Sequence, residues 1–367
     1  MRLVLLLLLP SAVVEAGDAG LPAELWVGGW DTHNVLRLDW RTGESRGLFV
    51  PSGRGGLRSA HHFSFGPDGD FYVASYGTSQ VIRYDGETGS FIDVFVQSGN
   101  GLIKAHTAYW NVDGTILVSS EQGDRVLQYN GWTGGFRRTF VRPGEQGLDG
   151  PEFIIEGPGG NLYLTAQSRQ VLVLDPIDGG VIDVFVADDP DTPDIDETGG
   201  LFWPHGLVFG PDGHLYVASS QNNRILRYNG ETGAFLNEFV PDGAGGLRFP
   251  LGIAFGPDGD FYVASFGNSR VLKYHGSTGA PLGLVASLAP MGLTGPLHIA
   301  FVDGPLVRAD LDRDGEVSLD DFGLWFGCMT GPNAGPVELD CRQADQDRDD
   351  DVDLGDYAAM QIRFGDQ

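Results

Sequence analysis

The sequence predicts a mainly β fold, a six-bladed β-propeller closed by a strand from the far end of its repeats. Three observations predict it. The stretch 65–96, FGPDGDFYVASYGTSQVIRYDGETGSFIDVFV, returns nearly unchanged from Phe209 and again from Phe255. Self-similarity of this length marks a propeller or a solenoid. Residues equivalent to Tyr72 recur at Trp26, Tyr72, Leu117, Tyr163, Tyr216 and Tyr262, in steps of 46, 45, 46, 53 and 46 residues. The first unit lacks an opening strand, and a spare one stands after the sixth, at 297–301. Ring closure accounts for both ends, because a closed ring hides the edges an open stack would expose.

Each copy reads as four short strands. Runs of four to six residues rich in Val, Ile, Tyr and Phe alternate with Pro-Asp-Gly, a Gly/Asn/Ser cluster and Asp-Gly-Glu-Thr-Gly. Gly and Asn supply the positive φ that tight hairpins require. No stretch of the repeat sustains a helical period.

Composition bounds the partners. The 367 residues suffice for more than one domain, and the net charge of −27 argues against nucleic acid, whose phosphates need a basic surface. Residues 1–17, MRLVLLLLLPSAVVEAG, place one Arg before a short apolar run and a small-residue site near Ala16, the pattern of a secretory signal peptide. The run is too short to span a bilayer, which takes about 20 apolar residues, and nothing later reaches that length. The chain is therefore expected outside the cytoplasm, secreted or at the cell surface.

Residues 18–307 form the propeller region. Pro204-His205-Gly206-Leu207-Val208-Phe209, followed by Pro-Asp-Gly and Leu-Tyr-Val, resembles NHL-repeat and related six-bladed families. That resemblance implies a fold shared by lyases, lactone hydrolases and pure binding platforms. Counting back four residues from Phe65, Phe209, Phe255 and Phe301, and from their equivalents Trp110 and Glu156 in the degenerate blades, gives His61, His205, Leu251, Leu297, His106 and Glu152. Innermost strands start near the channel mouth, so these positions converge on one axis. Three imidazoles and a carboxylate there are candidate catalytic groups, or ligands of a transition metal. A structural ring that simply hydrogen-bonds neighbouring backbone is the competing reading. His62 and His298 lie one residue off this register, and strand alternation would turn them into the blade interior. The long 53-residue step holds an acidic insertion, 187–199, with Asp188, Asp189, Asp191, Asp194, Asp196 and Glu197. It is expected on the mouth side, as a calcium site or as a solvated loop.

At residue 308 the composition shifts: 309–367 carries 16 acidic and 4 basic residues. The acidic spacing is that of calcium loops. Asp310, Asp312, Asp314 and Asp321 stand at positions 1, 3, 5 and 12, with Gly315 at the sharp turn and the Glu316 carbonyl at position 7. Asp345, Asp347, Asp349 and Asp356 repeat the pattern with Asp351 at position 7, while Asp350 replaces the turn glycine. Val317 and Val352 at position 8 would face the core. Each loop leads into an expected helix. Paired loops of this kind resemble a type I dockerin domain, which implies Ca2+ and a cohesin-like partner. The contact positions 10 and 11, often Ser-Thr-like, are here Leu319-Asp320 and Leu354-Gly355. Cys328 and Cys341, the only cysteines, are expected to form a disulfide in an exported chain, worth about 3 kcal/mol by loop closure.

Three functions stay open: an exported binding or scaffold protein with a docking tail for a protein or carbohydrate partner, a lyase or hydrolase working at the channel mouth, and a component of an extracellular polysaccharide-degrading assembly. No Gly-x-Ser-x-Gly or His-Glu-x-x-His motif favours the enzyme.

Overall fold

A computed structural model describes residues 24–188 and 196–302, together with Cys328 and Val352. The expected leader, the calcium-loop ligands and Cys341 lie outside the described residues, as does the middle of the acidic insertion. Val352 is buried.

The described strands form six four-stranded antiparallel sheets. In the first blade Pro296–Val302 is innermost and pairs with Glu24–Gly29, followed by Val35–Asp39 and Ser45–Val50. The expected closure is therefore present: Trp26 faces Ala300 across that pair. The other innermost strands are Ala60–Phe65, Ala105–Trp110, Pro151–Glu156, Pro204–Phe209 and Pro250–Phe255.

The apolar core is a ring of six clusters, one at each joint between neighbouring blades. Trp26 and Val35 of the first blade pack against Phe63 and Phe71 of the second, and Tyr72 and Val81 pack against Ile116 and Val118 of the third. Alternation supplies these contacts, since each middle strand is buried on both faces. Turn chemistry fixes the blade edges. Asp85 Oδ1 accepts from the backbone N–H groups of Glu87 and Thr88, and Gly89 at φ 67° closes the turn. A Cβ on Gly89 would meet the Phe49 carbonyl oxygen at 2.0 Å, so this glycine also lets consecutive blades touch.

Every innermost strand is bulged near its start. Between Ala60↔Ser75 and Phe63↔Val73, two residues oppose one, and the same two-against-one pairing recurs in all six blades. A bulge breaks the alternation of side chains. Consecutive residues, not alternate ones, therefore reach the channel, and the channel has two layers.

Candidate functional site

The upper layer is the expected ring. His61, His106, Glu152, His205, Leu251 and Leu297 are all buried and all line one cavity of about 390 Å³ at the channel mouth. Ring centroids of His61 and His106 lie 4.4 Å apart, and those of His106 and His205 4.8 Å apart. One potential ligand atom from each of the three histidines lies within 4.8 Å of the others. Glu152 Oε2 is 3.5 Å from His106 Nε2 and 3.7 Å from His205 Nε2.

The lower layer corrects the alternation argument. His62 and His298 do not enter a blade interior. They meet across the channel with ring centroids 4.5 Å apart, and Phe153 of a third blade lies 5.1 and 5.2 Å from them. The bulge is the reason. Gly206 and Gly252 hold equivalent places, where a Cβ would meet the next blade's carbonyl oxygen at 2.4 and 2.5 Å.

Burial sets the charge state. Desolvation drives His61, His106 and His298 well below the usual imidazole range, lowers His62 to about 4 and His205 to about 3. Desolvation also pushes the Glu152 carboxyl up to about 8, opposed by hydrogen bonds from Gln167 and Trp203. Burial thus disfavours the charged form on both sides of the His–Glu contacts. Glu152 Oε1 accepts from Trp203 Nε1 at 2.5 Å and Gln167 Nε2 at 2.8 Å. Its Oε2, both ring nitrogens of His61, and Nδ1 of His106 and His205 are buried without a hydrogen-bond partner among the described residues.

The wall of the cavity was not read from the sequence. Tyr76, Trp30, Phe266, Phe249 and Trp203 form an arc through the second, first, sixth and fifth blades, with successive centroids 5.0, 6.4, 5.7 and 6.0 Å apart. Glu121, Gln122 and Gln167 close the remaining sector. A sixfold device positions this wall. Two residues before each floor residue the chain is left-handed, at Ser59, Lys104, Gly150, Trp203, Phe249 and Gly295, with φ from 52° to 63°. The carbonyl of that residue accepts from the N–H of the residue after the second strand: Tyr76, Glu121, Gln167, Ser220, Phe266 and Trp30 in the same order. Bulky side chains seldom take this backbone conformation, and glycine does so in two of the six blades. Trp203 and Phe249 are held there with their rings in the mouth. The signal in the sequence was a large aromatic residue at positions where the copies otherwise diverge.

The described residues of the acidic insertion stay apart from the cavity. Asp188 accepts from the N–H of Glu197, Asp196 caps Thr198, and neither lines the mouth.

Among protein families, the NHL repeat matches residues 247–274. No curated protein matches the chain. Among solved structures, a chain of a nidogen/laminin complex is similar at a TM-score of 0.59 and 16% identity, over 77% of this chain and 99% of that one. A protein of unknown function from Bacteroides caccae gives 0.56 and 15%, over 77% and 99%. At these identities the likeness concerns the fold: the NHL stretch sits in a six-bladed propeller. Among the described residues no helix is long and apolar enough to cross a membrane.

Proposed function

We propose that this chain is an exported propeller that binds a small ligand at the mouth of its channel and docks through a calcium-binding tail. The mouth carries the binding role. Its floor holds several buried polar atoms without partners beneath an aromatic wall. An unpaired buried polar group costs about 1–3 kcal/mol, so a floor built of them favours a ligand that completes it. Strained aromatic backbone positions aimed into the same space support the same reading. A fragment screen by ligand-observed NMR on the full chain tests it. Hits should fall away in Trp203→Ala and His106→Ala variants that melt normally. Hits indifferent to both would remove the mouth from consideration.

The tail reading rests on the sequence. Asp310, Asp312, Asp314 and Asp321, then Asp345, Asp347, Asp349 and Asp356, supply the oxygens of two Ca2+ sites, and Cys328 with Cys341 ties the intervening segment. Its partner is a protein, cohesin-like in the version the dockerin resemblance raises. A polysaccharide-degrading assembly is the wider setting that resemblance suggests. The nidogen/laminin structure, a complex between proteins, supports protein binding by this architecture. Calcium titration followed by circular dichroism should show the tail folding. Equal folding in chelator with the disulfide intact would refute the ligand assignment.

One observation favours a second reading, a metal-dependent lyase or hydrolase. With Zn–N and Zn–O near 2.0–2.2 Å, tetrahedral ligand atoms lie roughly 3.3–3.5 Å apart. Glu152 already stands at about that spacing from His106 and His205, and the histidine set, within 4.8 Å, needs to close by up to about 1.5 Å. His61, His106 and His205 would hold the ion, which would supply a Lewis acid. Glu152 Oε2, free of other partners, would take or give a proton. Stoichiometric Zn, Fe or Mn lost together in a His61/His106/His205 triple Ala variant would establish it. A metal-free native chain would sink it.

A further inference from the structure

We propose that the mouth selects a small organic cation, a compound bearing an alkylated ammonium group, which sits inside the aromatic arc. This rests on the binding reading of the mouth and names its ligand class.

The arc has the form of a cage rather than a platform. Trp30 meets Phe266 at 82° and Phe249 meets Trp203 at 75°, so neighbouring rings stand as walls at steep angles. Phe266 and Phe249, at 49°, turn the corner between them. Faces of Trp, Tyr and Phe attract cations through the ring quadrupole, and the attraction grows where water is excluded. Cages of this kind suit a bulky cation whose charge is spread over methyl groups.

Charge on the remaining sides agrees. No Lys or Arg is among the described residues lining the cavity, and a nearby cation, Lys104, has its Nζ 4.6 Å from the Tyr76 centroid. Glu121 closes the sector opposite the arc, held by a hydrogen bond from Gln167 Nε2 at 3.0 Å. The three imidazoles of the floor lie buried beneath the arc. Their unpaired nitrogens are left for a polar substituent on the ligand. The protein already displays the interaction. Lys104 Nζ lies 4.6 Å from the Tyr76 centroid, and the His61 ring stacks on Tyr76 with centroids 4.3 Å apart.

The test compares three compounds of nearly one shape: choline, its neutral isostere 3,3-dimethylbutan-1-ol, and the anion 3,3-dimethylbutanoate. Titration of the full chain in calcium is followed by calorimetry and by tryptophan fluorescence. Choline should bind at least about tenfold tighter than the neutral isostere, and the anion weakest. Trp203→Ala should abolish the preference and Trp203→Phe should keep part of it, each with a normal melting curve. Glu121→Gln should weaken choline severalfold and leave the neutral isostere unchanged, which a purely structural role for Glu121 would not do. Equal binding of choline and the alcohol would overturn the cation proposal and leave a neutral mouth ligand standing. Tighter binding of the anion would overturn it and favour a metal on the histidines. Binding by none of the three would overturn it too, while the fragment screen still decides whether the mouth binds anything.

Discussion

Two sides of one channel mouth share a backbone and differ in chemistry. From the second to the fifth blade the floor is His61, His106, Glu152 and His205; in the sixth and first blades it is Leu251 and Leu297. Both sides have the same bulge, the same left-handed residue two places earlier, and the same carbonyl hydrogen bond to the wall residue. The fold therefore fixes six equivalent positions and leaves the side chains free. On the leucine side those positions add to the core. On the histidine side they bury groups that water would solvate better, at a cost in stability.

The sharpest way to break this contrast is to exchange the two characters. Leu297→Asp would place a carboxylate at a buried floor position between the strands that carry Leu251 and His61, and it should cost at least about 3 kcal/mol in urea unfolding. Glu152→Gln keeps an oxygen for Trp203 and Gln167 and removes only an acid that burial already disfavours. Its cost should stay below about 1 kcal/mol. Similar losses in both variants would mean that the mouth is uniformly structural.

Acidity separates the sides next. An imidazole whose folded pKa is depressed binds fewer protons in the native state than in the unfolded chain. Stability is then lost as pH falls below about 6.5, by on the order of 1.4 kcal/mol per pH unit for each such group. His61, His62, His106, His205 and His298 all act in this direction. Glu152 has the opposite sign: its raised pKa makes the native state lose stability as pH climbs from about 4.5 through about 8. Melting temperature should drop steeply between pH 6.5 and 5, and His62→Phe or His298→Phe should flatten that slope. A slope unchanged in both variants would refute burial of uncharged imidazoles in the channel.

The same contrast explains what the sequence disclosed. The blade count, the closing strand and the upper ring were legible because they depend on period and register, which near-identical copies display. His62 and His298 were misplaced because strict alternation fails at a bulge, and a bulge leaves no mark in one copy taken alone. Nothing local distinguishes Trp30, Tyr76 and Phe266 as a wall, since their neighbourhood exists only after closure brings the first and sixth blades together. Trp203 and Phe249 were closer to reach. They occupy the place of Gly150 and Gly295 in other blades, and a bulky residue in a glycine position is a readable signal of constraint.

The smallest expected effect tests that constraint. The six left-handed residues preceding the floor carry different loads. At Ser59, φ is 58°, and the backbone N–H is held by His33 Nδ1 at 3.0 Å. Ser59→Gly relieves left-handed strain of about 1–2 kcal/mol, against about 0.4–1 kcal/mol of added freedom in the unfolded chain. A net gain of up to about 1.5 kcal/mol is expected, read as a higher urea midpoint with an unchanged slope. Phe249→Gly relieves similar strain at φ 52° but removes the ring that stands 6.0 Å from Trp203 and 5.7 Å from Phe266. Its stability should move little in either direction while binding at the mouth is lost. A stable Ser59→Gly beside a Phe249→Gly that still binds would show that the strained phenylalanine serves the packing of the wall and not the ligand. Loss of stability in Ser59→Gly would instead show that the left-handed turn is relaxed, and would remove strain as evidence for function at the mouth.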